Sequence, residues 1–425
     1  MTNYKLQTFA TGNLFDDTGW VLNDPEYTKP SLIRAVYENI QLNIESKLPG
    51  LFRFSEWLPV NRILENSSAP VTYRSVELAQ HLGLNNLFIC FSGYWPKKGA
   101  LMTTCSFKET EAYSVCSRLG SDKKGVMVVA SAGNTARAFA KVCSENNIPL
   151  LLVVPEDNLD AMWFKAKIKD NVKLICTPSG TDYFDSIELS NKICSSELFF
   201  EEGGAKNIAR RDGMGTTVLS AACEIGKIPD YYFQAIGSGT GTIAAWEANL
   251  RLIEDGRFGT HKMTLIPSQN IPFTPIYDAW SQNSRDLLIK DDNEARMNAH
   301  KIMAKVLSNR RPPYSIPGGL FDAMKDSGGT IQAVSNQELC DACDLFEKLE
   351  GIDIHPASGV ALAGMINYTT ANGFDKDSVI MLNITGGGEK MFKADNSLFY
   401  MKPDTILDNT LSPDFLACEA EKLFK

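Results

Sequence analysis

The chain has 425 residues, 44% of them hydrophobic and 22% charged, which are ordinary globular values in a length that suits two domains. A formal net charge of −9 offers no large basic face, which argues against a nucleic-acid or anionic-membrane partner. The longest apolar run, Ile148 to Pro155, is far too short to span a bilayer, and ten cysteines without a framework read as reduced thiols of a cytoplasmic protein.

Taken in chain order, the opening stretch MTNYKLQTFATG lacks the basic-then-apolar layout of a secretion signal. At Cys105 to Cys116 the stretch CSFKETEAYSVC predicts a helix start, with Ser106 and Glu109 spaced as a capping box ahead of Ala112, Val115 and Cys116. Lys108 falls in the first turn, where the positive end of the helix dipole disfavours a cation. An uncharged lysine amine there is a nucleophile towards aldehydes; a solvated lysine at a helix start is the ordinary alternative.

From about residue 125, β-rich runs alternate with helical patterns. GVMVVAS, PLLLVVP, NVKLICTP, YYFQAIG, HKMTLIPS and SVIMLNIT read as strands; NTARAFAKVCSENN, YFDSIELSNKICSS and TIAAWEANLRLIEDG read as helices. Continuous apolar strands separated by helices predict an α/β fold with parallel sheets covered on both faces. The segment from Ile271 to Ser335 is the least regular, with RRPPYSIPGGL reading as loop. Cys340 and Cys343 have CxxC spacing, but they lie in an amphipathic pattern with no second pair nearby, so a packed helix face is expected rather than a metal site.

Three strand ends carry glycine with hydroxyl or amide residues. VVASAGNTARA places Ser131, Gly133, Asn134 and Thr135 between a strand and a helix, whose amides suit a carboxylate; Asn134 as a plain N-cap is the alternative. AIGSGTGT follows a strand and opens a helix, so Gly237, Ser238, Gly239, Thr240 and Gly241 suit an anion cradle for a phosphate; a tight structural turn is the alternative. A dinucleotide fingerprint is weakened by Thr242 at its sixth position, although Glu254 and Asp255 stand at a tolerable distance, and no Gly-Lys-Ser/Thr follows to make a P-loop. MLNITGGGEK sets Thr385 before three glycines. Ligands of open α/β sheets gather beyond carboxyl ends of strands, so the three ends describe one crevice for a small phosphate-bearing ligand.

A lysine after Ser-Phe, a strand-end SxGNT, a GSGTG loop and a final Thr-Gly-x-Gly, spread from Lys108 to Lys390, together resemble the second fold type of pyridoxal-phosphate enzymes, in the threonine synthase branch. The resemblance implies a tryptophan synthase β-like architecture of two open, mostly parallel sheets flanked by helices. It implies pyridoxal 5′-phosphate as cofactor, with Lys108 as its Schiff-base residue and Asn134 on the pyridine 3′-oxygen. Gly237, Ser238, Gly239, Thr240 and Gly241 would hold the cofactor phosphate, and Thr385 would face the ring nitrogen. Ser131, Thr135 and Arg137 are the expected substrate contacts. The implied division is an N-terminal segment 1–45, a large cofactor domain of 46–105 and 213–425, and a small mobile domain 106–212. A homo-oligomer is expected.

Within that branch, long blocks such as FRFSEWLPV, SGYWPKKGA, TCSFKETEAY, EEGGAKNIARRDGMGT and AIGSGTGTIAAWEA resemble the cysteate synthase family. Ordinary threonine synthases follow the lysine with Asp-Arg-Gly, where this chain has Glu109-Thr110-Glu111. Thr8, Thr11 and Asp24 stand where the branch often has metal-binding cysteines, so a metal site there is expected to be lost. The implied reaction is β-replacement on O-phospho-L-serine by sulfite, giving L-cysteate and phosphate. Threonine synthesis from O-phosphohomoserine is the nearest alternative, and a non-catalytic phosphate-binding module is the alternative from another class. Lys97, Lys98, Arg137, Lys206, Arg210, Arg211, Arg310 and Arg311 are candidate cations for two anionic substrates, each equally readable as a solvated surface charge.

Overall fold

The computed structural model describes residues 2–120, 123–131, 133–289 and 291–425. Two sheets organise the chain. The larger has six strands in the order Gln332–Val334, Thr264–Asn270, Tyr231–Ala235, Val379–Ile384, Asn86–Phe91 and Val71–Arg74. All pairings are parallel except that of the edge strand Val71–Arg74, which runs antiparallel to Asn86–Phe91. The smaller has five parallel strands in the order Phe199–Glu201, Val126–Ala130, Leu150–Pro155, Val172–Thr177 and Thr405–Ile406.

The apolar runs explain why both sheets are buried on two faces. Successive side chains of a strand point to opposite sides. Tyr232, Leu265 and Met381 therefore enter one core with helices Ile208–Ile225 and Thr240–Asp255. Phe233, Ile266, Ile380 and Leu382 enter another with helices Asn336–Glu350 and Pro356–Asn372. In the smaller sheet Met127, Val129, Leu152 and Leu174 pack with helices Lys108–Arg118 and Asn134–Glu145. Val128, Leu151, Val153 and Ile175 pack with Tyr183–Ile193 and Pro413–Lys422 on the far side.

Two features depart from the expected division. Position 212 lies inside the continuous helix Ile208–Ile225, which packs against both Lys108–Arg118 and Thr240–Asp255. The end of the chain joins the smaller sheet: Thr405–Ile406 pairs with Ile175 and Cys176, and Pro413–Lys422 packs on Tyr183–Ile193. Strand Thr405–Ile406 has only two residues, too short for a periodic signal.

The segment expected to be irregular is more ordered than its composition suggests. It holds helices Pro275–Ser281, Asp292–Lys301 and Leu320–Asp326 and the edge strand Gln332–Val334, while 310–319 is loop as expected. Asp291 caps the second helix by accepting from the amides of Asn293 and Glu294. Cys340 and Cys343 lie on helix Asn336–Glu350, partly buried beside the second core.

The N-terminal residues form a three-stranded antiparallel sheet of Leu14–Phe15, Tyr4–Thr8 and Ile33–Tyr37. Two of the positions where the branch often carries cysteines are here joined by a buried hydrogen bond, Thr8 Oγ1 donating to Asp24 Oδ2. Thr11 is exposed in the adjoining turn. The sheet docks through Phe9, stacked on Trp246 at 5.4 Å, and through the Tyr37 hydroxyl, which donates to Asp212 at 2.6 Å.

Candidate active site

A cleft lies between the two sheets. Lys108, Ser131, Asn134, Thr135, the 237–241 loop and Thr385 all line it. Ser131, the 237–241 loop and Thr385 follow three strand ends that lie more than a hundred positions apart in the chain, and the two parallel sheets bring them to one space with Lys108.

Lys108 begins the helix Lys108–Arg118, and the segment before it is fastened to the loop that follows Val379–Ile384. The Phe107 amide donates to the Thr385 carbonyl at 2.9 Å, and the Gly387 amide donates to the Cys105 carbonyl at 3.1 Å. The lysine and Thr385 are thus held beside one another by backbone. The expected capping box is absent. Ser106 Oγ accepts from the Lys108 amide at 3.3 Å, but the Glu109 carboxylate reaches back past Ser106 to accept from the Thr104 amide at 2.6 Å. Phe107, not Ser106, occupies the N-cap, because Ser106 is engaged in a bridge with Gly386.

The Lys108 amine lies 2.9 Å from Glu111 Oε2, one turn along the helix. Burial pushes the amine below its ordinary value; the Glu111 carboxylate opposes that push and the Arg210 guanidinium adds to it. The net direction is down, as the sequence suggested, but for a different main reason: removal from water outweighs its neighbours' charges. Arg210 also lines the cleft, donating from Nε and Nη2 to Glu202 at 2.9 and 2.5 Å.

Asn134 opens the helix Asn134–Glu145 after Gly133, whose φ of +139° suits glycine. The residue is not a plain N-cap. Ser131 does that work, its Oγ accepting from the Gly133 and Ala136 amides at 3.0 Å each. Arg137 does not face the cleft, contrary to expectation. It is buried, stacked 4.0 Å from the Trp163 ring centroid, and donates to the carbonyls of Thr104 and Ala161. Its Nη2 also donates to Asn134 Oδ1 at 2.9 Å, which occupies the acceptor of that amide and leaves Nδ2 as the group to offer elsewhere. Arg137 therefore orients Asn134.

The glycine loop fits a phosphate. Gly237 lies so close to Leu307 that a Cβ would come within 2.9 Å of its backbone, and Gly239 (φ +78°) caps the helix Thr240–Asp255. Thr240 and Gly241, in the first turn of this 16-residue helix, line the cleft with the dipole behind them. Ser238 Oγ and Thr240 Oγ1 lie 2.8 Å apart and add hydroxyls. A dinucleotide reading does not survive: Asp255 stands at the far end of the helix, held by the Leu42 amide and Arg257 at 2.6 Å each.

Of the candidate cations, Arg210 lines the cleft among the described residues. Lys206 and Lys97 are exposed, and Lys98 lies over the Tyr73 ring at 4.4 Å. Arg211 pairs with Glu247, while Arg310 and Arg311 pair with Asp292. Sequence reasoning missed His355, which lines the cleft with Nε2 3.0 Å from Glu389 Oε2. Its signal was slight: one of only four histidines, followed by a proline at the first position of a helix. Tyr183 and Gln234 also line the cleft and carried no signal.

The two parallel sheets and the cleft between them are those of a pyridoxal-phosphate enzyme of the second fold type, as the comparisons with known proteins bear out. Residues 74–386 match the family described as pyridoxal-phosphate dependent enzyme. The fold resembles maize serine racemase, with a TM-score of 0.58 and 14% identity over 76% of this chain and 92% of that one. More specifically, the chain is 47% identical to the cysteate synthase of Methanosarcina acetivorans over 89% of its length and 91% of the relative. It is 45% identical to that of Methanocorpusculum labreanum over 93% and 95%. The chain belongs to the cysteate synthase family of pyridoxal-phosphate-dependent enzymes. Among the described residues no helix is long and apolar enough to cross a membrane.

Proposed function

We propose that the chain catalyses β-replacement on O-phospho-L-serine, with sulfite as nucleophile and L-cysteate and phosphate as products. The observation that carries this reading is the convergence of Lys108, Asn134, the 237–241 loop and Thr385 on one cleft, in a chain whose relatives are cysteate synthases. When bound, pyridoxal phosphate supplies an aldehyde for covalent attachment and a ring that takes up charge released at Cα.

Lys108 Nζ would be the amine that holds the cofactor and, once the substrate amine has taken its place, the base that accepts the Cα proton. Loop amides and the Ser238 and Thr240 hydroxyls would bind the cofactor phosphate. Asn134 Nδ2, oriented by Arg137, would donate to the 3′-oxygen. The Thr385 hydroxyl would meet the ring nitrogen without the full charge of an aspartate, which favours leaving-group expulsion. Ser131 and Thr135 receive the substrate carboxylate at the start of helix Asn134–Glu145. Arg210 is the guanidinium that faces the departing phosphate and the arriving sulfite. The Cβ–O bond breaks with its electron pair going to phosphate, and a sulfur lone pair forms the new C–S bond.

Phosphate release should be assayed from O-phosphoserine with and without sulfite, and from O-phosphohomoserine, with cysteate detected by mass spectrometry. Cysteate formed in step with phosphate supports the reading. Reaction of O-phosphohomoserine alone would replace it by threonine synthesis.

A further inference from the structure

Glu111 is fully buried on the lysine helix, and the reaction as described gives its carboxylate no task. A buried carboxylate is costly unless paired. Its Oε2 holds the Lys108 amine at 2.9 Å, while Oε1 has no hydrogen-bond partner among the described residues and lies 3.4 Å from Arg210 Nη1. Arg210 is itself clamped by Glu202, from the far side of the cluster. The groups facing the lysine are thus Glu111 on its own helix, Arg210 on Ile208–Ile225 and Glu202 after strand Phe199–Glu201, while the Tyr183 hydroxyl at the start of Tyr183–Ile193 faces that same arginine and the two carboxylates. With the two carboxylates and both cations ionised the set is neutral; when the lysine gives up its proton, one negative charge is left in excess.

We infer that Glu111 is a positioning residue for the reaction, holding Lys108 Nζ in place and drawing the proton back onto it, so that the lysine can return that proton to Cα after sulfite adds. Burial alone would leave the amine a good nucleophile and a poor keeper of protons; Glu111 restores the second property. The inference rests on Lys108 being the cofactor lysine. In capture, the neutral amine attacks the aldehyde, a C=N bond forms, and the carbonyl oxygen leaves as water. Removing the Glu111 charge frees the amine, so capture should quicken while turnover slows. A residue needed only for folding would slow both.

The test compares wild type, Glu111→Gln, Glu111→Asp and Lys108→Ala. Holoprotein is stripped of cofactor, and the rate of covalent capture of added pyridoxal phosphate is followed by absorbance across pH. An opposite charge at this distance shifts an ionisation by about one unit or more, so Glu111→Gln should capture about tenfold faster below the lysine's titration, with the profile displaced to lower pH. Glu111→Asp, which keeps the charge on a shorter arm, should shift in the same direction by less, and it serves if Glu111→Gln does not fold. In turnover, kcat should fall with KM within about twofold. An unmoved or upward-moved capture profile in the variants, or a KM that rises in step with the loss, overturns the inference. Capture that persists in Lys108→Ala would instead overturn the assignment of the lysine.

Discussion

At the level of single residues, the cleft works by setting one charge against another out of water. Lys108 is the clearest case: its burial and Arg210 push one way, and Glu111 and Glu202 push the other. The same balance recurs at Glu389. Burial alone would raise its carboxyl, but the hydrogen bond and charge of His355, with Arg137 and Lys393 nearby, bring it down to about 2 from the ordinary 4.5. A carboxylate whose folded value is depressed contributes stability above its unfolded value and loses it as pH falls towards the folded one. Wild type should therefore lose its advantage over Glu389→Gln progressively between pH 4.5 and about 2. Urea midpoints across that window measure it; a difference independent of pH would show that Glu389 carries no such linkage.

At the level of elements, what the sequence disclosed and what it hid follow from the range of the signal. Strands such as Leu150–Pro155 and Val379–Ile384, and helices such as Thr240–Asp255, were legible because their apolar period repeats within the element. The glycine loop was legible because glycine marks where backbone must come close. Hidden were the features made by partners distant in the chain. Glu109 capping Thr104 instead of Ser106 depends on the bridge to Gly386. Arg137 turning from the cleft depends on Trp163 and on the carbonyls of Thr104 and Ala161. At Gly239 an alanine would meet a φ of +78° and place its Cβ 2.7 Å from Leu320. Gly239→Ala should cost about 1–3 kcal/mol and weaken the protection that pyridoxal phosphate gives against heat. Thermal unfolding with and without cofactor tests this; an unchanged cofactor-dependent shift would show that the loop does not hold the phosphate.

For the whole molecule, the cleft sits between two sheets that are also tied at its mouth. Arg310 and Arg296, from the segment packed on the larger sheet, reach across to the start of helix Tyr183–Ile193 on the smaller one. Arg310 donates to Asp182 at 2.9 Å and lies 4.7 Å from the Phe184 ring centroid; Arg296 pairs with Asp185 at 2.8 Å. Arg310 is only 1% exposed, so breaking this tie leaves a buried guanidinium with Asp292 alone. Asp182→Ala should speed limited proteolysis near residues 178–185 and near Asn134, and O-phosphoserine should restore less protection than in wild type. Equal cleavage rates would mean the tie does not hold the two sheets together.

The cofactor's point of attachment decides which amine does the chemistry. Holoprotein treated with borohydride, digested and analysed by mass spectrometry reads that directly, since reduction fixes the cofactor to whichever amine holds it. The label should fall on the peptide containing Lys108 and vanish in Lys108→Ala. A label on any other lysine, or on none in coloured protein, would contradict it.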